Sequence, residues 1–560
     1  MEKLKLDPDV IHFIPLGGSE EFGCNFNIYA YKGKFLIMDC GIGFADHRMP
    51  LVDILLPKPD FIEQYKDDIV GLVVTHGHED HIGAVPYLWP RLECPVYGSG
   101  FTMEIMRRKL RDFPEAKAMP LHQISKEATL SLEPFTLEFL GITHSIPENI
   151  STVIRTDAGT ILHTGDWNLD PDPQVGEVTE QKRFEAIGRE GVLAYIGDST
   201  NAMVEGRTPS EQEVEEGLTH VFAEQDKMIA VTTFSSNIGR IKSIARAAEK
   251  NGRSVAVIGR SLQNMVGAAK VCGFLDDIQD FVDFDDLNIV PRSNLVVILT
   301  GSQGEARAAL SRVARGDYRG LNLEKGDTVI FSSRDIPGNE KDINEIKNAL
   351  IGSGVKVITD KSTEHIIHVS GHPCREELRE MMSWARPKIA VPVHGESMMV
   401  RAHARLAEEC GVTHSVIPKN GAVIRLDPNN PEIIDHVETG FLGVEPARVV
   451  DADSPVIAMR RKLQYTGVAM VTAILDRQAS RVEDVQFSSL GLEEEDSEDE
   501  TALFDEVSDT VEYVIKRNAK KKALEEDHQI AEVIRIEVRR LLAQIYGFKP
   551  KVIIHLVREA

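Results

Sequence analysis

No apolar run in this 560-residue chain approaches the ~18 positions that a membrane-crossing helix needs, so no membrane span is expected. The opening MEKLKLDPDVIHFIPLGG has no basic head followed by an apolar block and a small-residue cleavage site, so no secretory leader is expected. Cysteine is sparse and its spacing is unpaired: Cys24, Cys40, Cys94, Cys272, Cys374 and Cys410 stand far apart. That scatter argues against a zinc knuckle and a disulfide framework, and it points to thiols in a reducing, cytoplasmic setting. Positive charge is also short. Against 88 Asp and Glu stand 63 Lys and Arg, and the net charge of −25 argues against a broad basic face for nucleic acid. The deficit is uneven, because residues 483–512 contain thirteen acids and no Lys or Arg. That segment reads as a solvated linker or loop.

At this length several domains are expected. Residues 10–40 read as short apolar strands punctuated by glycine and ending at Asp39. Further strands end in His144, Asp166 and Asp198, which brings polar groups to one sheet edge. From about residue 210 helical stretches alternate with short apolar strands, the pattern of a parallel, doubly wound unit. Strands ending in histidine then resume, so the alternating block reads as an insertion. The expected parts are 1–208 and 356–445 for the interrupted first domain, 209–355 for the insertion, 446–465 for a linker, and 466–560 for a small α/β tail.

The densest chemistry lies in VVTHGHEDHIGAV, residues 73–85. His76, His78 and His81 would repel one another if protonated and would gain little from burial. A bound metal offsets that cost, whereas a merely polar loop does not. Histidines at i and i+2 of an extended segment reach one ion, and Asp80 with His81 in the following turn can face another. Neutral imidazole and carboxylate suit Zn²⁺ or Mn²⁺. His144 in THSIPEN, Asp166 in HTGDW and His394 in PVHGE are candidate remote ligands at strand ends. Glu79 has at least as good a reading as a solvent-facing or backbone-bonded acid.

THGHEDHIG matches the HxHxDH signature of the metallo-β-lactamase superfamily. With GGSEEFGCN, HSIPE, GDSTNA, TFSSNIGR, TGSQGE, HVSGH, PVHGE and YGFKPKV in order, the chain resembles the β-CASP nucleases, and among them the bacterial ribonuclease J family. The resemblance implies an αββα metallo-β-lactamase sandwich, an inserted β-CASP α/β domain and a small C-terminal α/β domain. It implies two zinc ions per chain, with Mn²⁺ or Mg²⁺ also able to serve. His76, His78 and His144 would hold one ion, Asp80, His81 and His394 the other, and Asp166 would bridge them. Asp39 would orient a ligand histidine. His372 would act as general acid or charge stabiliser, oriented by Asp198. The implied partners are RNA and further copies of the chain, as a homodimer or homotetramer.

A second pocket is expected beside the metals. In FSSN, Ser236 and Asn237 precede a helix and can offer hydroxyl, amide and N–H groups to an anion, or simply cap that helix. The HVSGH loop, His368, Val369, Ser370, Gly371 and His372, allows close backbone approach. Together they suit the 5′-monophosphate end of an RNA. The glycine-rich TGSQGE lacks the Lys of a nucleotide-triphosphate loop and reads as a turn. The expected activity is hydrolysis of RNA phosphodiesters, 5′–3′ exonucleolytic with some endonucleolytic cleavage, in rRNA maturation and mRNA turnover. A β-CASP DNA nuclease, a hydrolase of small esters and an inactive RNA-binding scaffold are the alternatives.

Overall fold

The computed structural model describes residues 4–46, 48–336, 338–446, 448–494, 498–521 and 526–559. The chain divides into two compact units, Met1–Phe44 with Leu55–Leu442, and Ala45–Ile54 with Gly443–Ala560.

Two sheets form the base of the first unit. One has eight strands, ordered Glu432–His436, Ala422–Arg425, His12–Gly17, Phe26–Tyr31, Lys34–Met38, Ile69–Val73, Val96–Gly98 and Leu121–Gln123. The other has seven: His414–Ser415, Ile389–Val393, Ala194–Asp198, Gly159–His163, Ile150–Thr156, Phe135–Gly141 and Thr129–Leu132. Phe13, Tyr29, Leu36 and Val73 of the first sheet share one buried cluster with Phe139, Ile154, Ile196 and Val391 of the second. The sheets therefore pack face to face. The outer face of the second is covered by helices Gln181–Glu190, Arg375–Ala385 and Ser397–Glu409, through Phe184, Met381 and Leu406. Strand ends of these sheets deliver Asp39, Asp166, Asp198 and His394.

The chain leaves the second sheet after Asp198 and returns as Ile389–Val393, which pairs in parallel with Ala194–Asp198. Between these strands lies a separate five-stranded, all-parallel sheet: Ser254–Ile258, Leu295–Leu299, Ile229–Thr232, Thr328–Phe331 and Lys356–Ile358. LVVIL at 295–299 is buried at every position, as a strand covered on both faces requires. The insertion's first helix, Glu211–Ala223, starts with a reciprocal cap: the Ser210 hydroxyl accepts from the backbone while Glu213 reaches back to the Ser210 N–H.

In the second unit Val468–Leu475 pairs antiparallel with Val482–Leu490 and parallel with Lys551–Arg558. Here the expectation of a solvated linker or loop at 483–512 is corrected. Its described residues form most of the strand Val482–Leu490 and the first part of the helix Glu498–Lys521, while 495–497 lie outside the described residues. Acidic density masked an apolar stripe at helical spacing, since Leu503, Val507, Val511, Val514 and Ile515 are all buried in the unit's core. The helix Asp527–Tyr546 adds Ile530, Ile534, Val538 and Leu542 to the same core. Ile534→Ala should cost ~2–5 kcal/mol. The readout is an earlier loss of hydrogen-exchange protection across strands 468–475 and 551–558. Unchanged protection there would remove this helix from the unit's support.

Candidate metal centre

The strand Ile69–Val73 runs into an extended segment carrying His76 and His78. His78 then precedes a single helical turn, Glu79–Ile82, which swings Asp80 and His81 back toward the strand ends. This turn lies against 40–42: Cys40 N–H donates to His81 O at 2.7 Å and Ile42 N–H to Glu79 O at 2.9 Å. Only glycine fits at Gly41, where a Cβ would meet the Asp80 carbonyl oxygen at 1.6 Å.

Two groups of ligand atoms converge. His76, His78, His144 and Asp166 form one; Asp80, His81, Asp166 and His394 form the other; in each group the atoms lie within 4.8 Å of one another. His78 Nδ1 is 3.0 Å from His76 Nε2 and 3.1 Å from His144 Nε2. Asp166 Oδ2 stands among the imidazoles, 3.2 Å from His81 Nε2, 3.5 Å from His394 Nε2, 3.9 Å from His76 Nε2 and 4.0 Å from His144 Nε2. Asp80 Oδ2 lies 3.6 Å from His81 Nε2 and 3.8 Å from His394 Nε2. Glu79 belongs to neither group; it is ion-paired with Lys109 at 2.6 Å.

The hydrogen bonds on the far side of each ring assign its tautomer. His81 Nδ1 donates to Asp39 Oδ2 at 2.8 Å, and His144 Nδ1 to Gly371 O at 2.6 Å. Thr75 Oγ1 donates to Asp39, so it accepts from His76 Nδ1 at 3.0 Å. His394 Nδ1 donates to Asn25 Oδ1 at 3.1 Å. In the neutral tautomers these bonds assign, each of these four rings turns Nε2 inward. Electrostatics favour the neutral ring at His76, His78 and His144 and the charged ring at His81, whose Nε2 proton a cation would displace. Burial first, and then the neighbouring imidazoles, push His76 and His78 well below the ordinary imidazole range. Burial brings His144 to about 4. Burial would lower His81 too, yet Asp166, Asp80 and Asp39 raise it well above its ordinary value. Asp166 is 2% exposed, and its Oδ1 has no hydrogen-bond partner among the described residues. An orphaned carboxylate oxygen amid inward-turned lone pairs fits divalent cations that take N and O ligands.

His372 differs from these rings. Its Nδ1 is 2.7 Å from Asp198 Oδ2, and the ring stacks on His394 at 5.7 Å. Burial opposes its charge, but Asp198 and then Asp166 raise it to about 9. It therefore holds its own proton, although Asp166, Asp198, His372 and His394 form a third convergence of ligand atoms. Asn201 Nδ2 and Thr208 Oγ1 both donate to the His372 carbonyl, at 3.1 and 2.9 Å.

A small cleft adjoins the centre, lined among others by His144, Asn237, Val369, Ser370 and Gly371. A Cβ at Gly371 would lie 2.7 Å from His144 Cε1, so glycine permits the loop's approach. Ser236 and His368 are outside this lining. Asn237 Oδ1 accepts from Arg240 N–H at 2.8 Å, the helix-capping role offered by the sequence. His368 Nδ1 instead meets the buried Arg240 guanidinium at 3.0 Å. Arg240 also grips Glu211 at 2.6 Å and Ser332 O at 2.9 Å, which ties the insertion to the HVSGH loop. Asn25, Thr75, Asn201 and Arg240 were not singled out from the sequence. Asn25 closes GGSEEFGCN, a stretch that carries the family resemblance, and Arg240 closes TFSSNIGR, whose reading rests on Ser236 and Asn237.

Among the described residues no helix is long and apolar enough to cross a membrane. Comparison with known families matches residues 20–184 to the metallo-β-lactamase superfamily and 226–350 to the ribonuclease J β-CASP domain. Residues 358–418 match a Zn-dependent metallo-hydrolase RNA specificity domain, and 455–559 the ribonuclease J C-terminal domain. A crystal structure of a protein of unknown function from Enterococcus faecalis covers 74% of this chain and all of its own at TM-score 0.54 and 17% identity, a likeness of fold. Ribonuclease J2 of Bacillus subtilis is 32% identical over 85% of each chain. Ribonuclease J of Thermus thermophilus is 36% identical over 83% of this chain and 82% of its own. Ribonuclease J of Sinorhizobium meliloti is 40% identical over the full length of both. With a β-CASP insertion in a metallo-β-lactamase domain and full-length relatives of this kind, the chain belongs to the ribonuclease J family.

Proposed function

We propose that the chain hydrolyses RNA phosphodiester bonds at a two-cation centre, as a 5′–3′ exonuclease with endonuclease activity, in rRNA maturation and mRNA decay. The observation that carries this reading is the pair of ligand groups joined at Asp166. Zinc is the expected ion, two per chain, with Mn²⁺ or Mg²⁺ able to support activity. His76, His78 and His144 would hold one, Asp80, His81 and His394 the other, and Asp166 both. The chain would act in the cytoplasm as a homodimer or homotetramer, with domain limits near 208, 355 and 445.

Bound there, the cations would supply a water of lowered pKa for attack and positive charge against the phosphate oxygens. Asp39 and Thr75 keep His81 and His76 facing inward. Asp198 holds a proton on His372, which can donate it from Nε2 to the leaving oxygen. That tight ion pair favours a proton over a third cation at this spot. Matched RNA and DNA oligonucleotides, with and without chelator, test the function. Chelator-sensitive cleavage of RNA is expected. Preference for DNA would favour the DNA-nuclease reading, and binding without cleavage would favour the scaffold.

A local grip at the cleft beside His144 would let an acidic protein act on RNA without a broad basic face. Of the expected phosphate-binding residues, Asn237, Val369, Ser370 and Gly371 line that cleft and would grip one 5′ phosphate locally, with Ser236, His368 and His372 adjoining them in the chain. Degradation from a 5′-monophosphate end should exceed that from a 5′-triphosphate end, which is longer and more charged. Ser236→Ala with Asn237→Ala should narrow the difference and spare internal cleavage. Equal exonucleolytic rates of the unaltered chain on both RNAs would rule out a 5′-end sensor.

A further inference from the structure

Asn25 is 2% exposed and bonded to all three protein groups that flank Asp166 in the second cluster. Its Oδ1 accepts from His394 Nδ1 at 3.1 Å. Its Nδ2 donates to the Asp80 carbonyl at 3.0 Å and lies 3.2 Å from His81 Nε2, a contact that a cation on that nitrogen would replace. Its backbone N–H donates to the same Asp80 carbonyl at 3.1 Å, and its carbonyl accepts from Gly41 N–H at 2.9 Å. The carboxamide has little freedom: Gly18, at φ +82°, carries the chain past it, and a Cβ there would come within 2.4 Å of Asn25 Oδ1. His394 is itself at φ +52°, with its N–H bonded to Gly18 O at 2.8 Å. The first cluster is oriented by other groups, His76 by Thr75 and His144 by the Gly371 carbonyl.

We propose that Asn25 is a positioning residue for the second cation alone. Its amide oxygen fixes His394 with Nε2 inward, and its amide nitrogen holds the Asp80–His81 turn against that ring. An amide acceptor directs His394 without placing a further negative charge behind it, unlike the carboxylate of Asp39 behind His81. The inference rests on the two-cation reading above.

The test titrates the metal-free full-length chain with zinc against a competing chromophoric chelator, with no RNA present. The unaltered chain should take up two ions. Asn25→Ala should bind one with unchanged affinity and the other roughly 10–100-fold more weakly, the range for losing an outer partner of a ligand. Asn25→Asp, which keeps an oxygen for His394 Nδ1 but sets a second oxygen against the Asp80 carbonyl, should restore only part of the loss. In a His394→Ala background, Asn25→Ala should add less than in a His78→Ala background, because coupled residues are not additive. Should the alanine chain not fold, Asn25→Ser, too short to span the same partners, gives the comparison. Equal weakening at both ions, or none at either, would overturn the assignment. A single zinc on the unaltered chain would instead remove the two-cation reading, and this proposal with it.

Discussion

Asp166→Ala should abolish hydrolysis and lower metal content at both clusters, because one carboxylate serves the two groups of ligands. His76→Ala should also lower metal content and abolish hydrolysis, yet its loss should fall on the first cluster. The contrast follows from position: Asp166 Oδ2 lies within 4.0 Å of His76, His81, His144 and His394, whereas His76 Nε2 meets its neighbouring ligand His78 at 3.0 Å within one group. On the proposed mechanism the cations would supply both the nucleophile and the charge that stabilises the phosphate, so the remaining residues could not compensate. Metal content per chain and cleavage of 5′-labelled RNA are measured on the same preparations. Full activity in a variant that has lost its metal would sink the mechanism.

The convergence of these candidate ligands has a local signal in the sequence. His76, His78, Asp80 and His81 sit within six positions, and a cluster that costly in burial has few readings. His144, Asp166 and His394 were legible because each closes an apolar strand in a short polar loop. Their orienting partners were harder to read. Asn25 meets His394 across 369 positions, and Gly371 meets His144 across 227, contacts that depend on the packing of the two sheets and the return of the 368–372 loop. Arg240 stands in the first turn of the helix Ile238–Lys250, and its complete burial depends on Glu211 and the 368–369 loop arriving from elsewhere. The tail shows the opposite failure. Thirteen acids dominated the reading of 483–512, while the residues that decide its structure were the apolar ones spaced between them.

Substitution of His372 would separate the proposed acid catalysis from metal binding. Its Nδ1 is committed to Asp198 at 2.7 Å, so Nε2 is the nitrogen left to face substrate. His372→Ala should keep its cations and bind RNA, yet cleave roughly 10²–10⁴-fold more slowly, the usual weight of general acid catalysis. Asp198→Asn should preserve a partner for Nδ1 while removing the charge that favours the imidazolium. The proton would then be lost at lower pH, so the alkaline limb of the rate profile should move to lower pH. A leaving-group test distinguishes an acid from a structural histidine. Sulfur in place of the leaving oxygen departs as a thiolate and needs little protonation, so on that RNA the defect of His372→Ala should shrink markedly. A packing defect would slow both substrates alike. Equal losses on oxygen and sulfur, or a near-native rate on the normal RNA, would return His372 to a structural role.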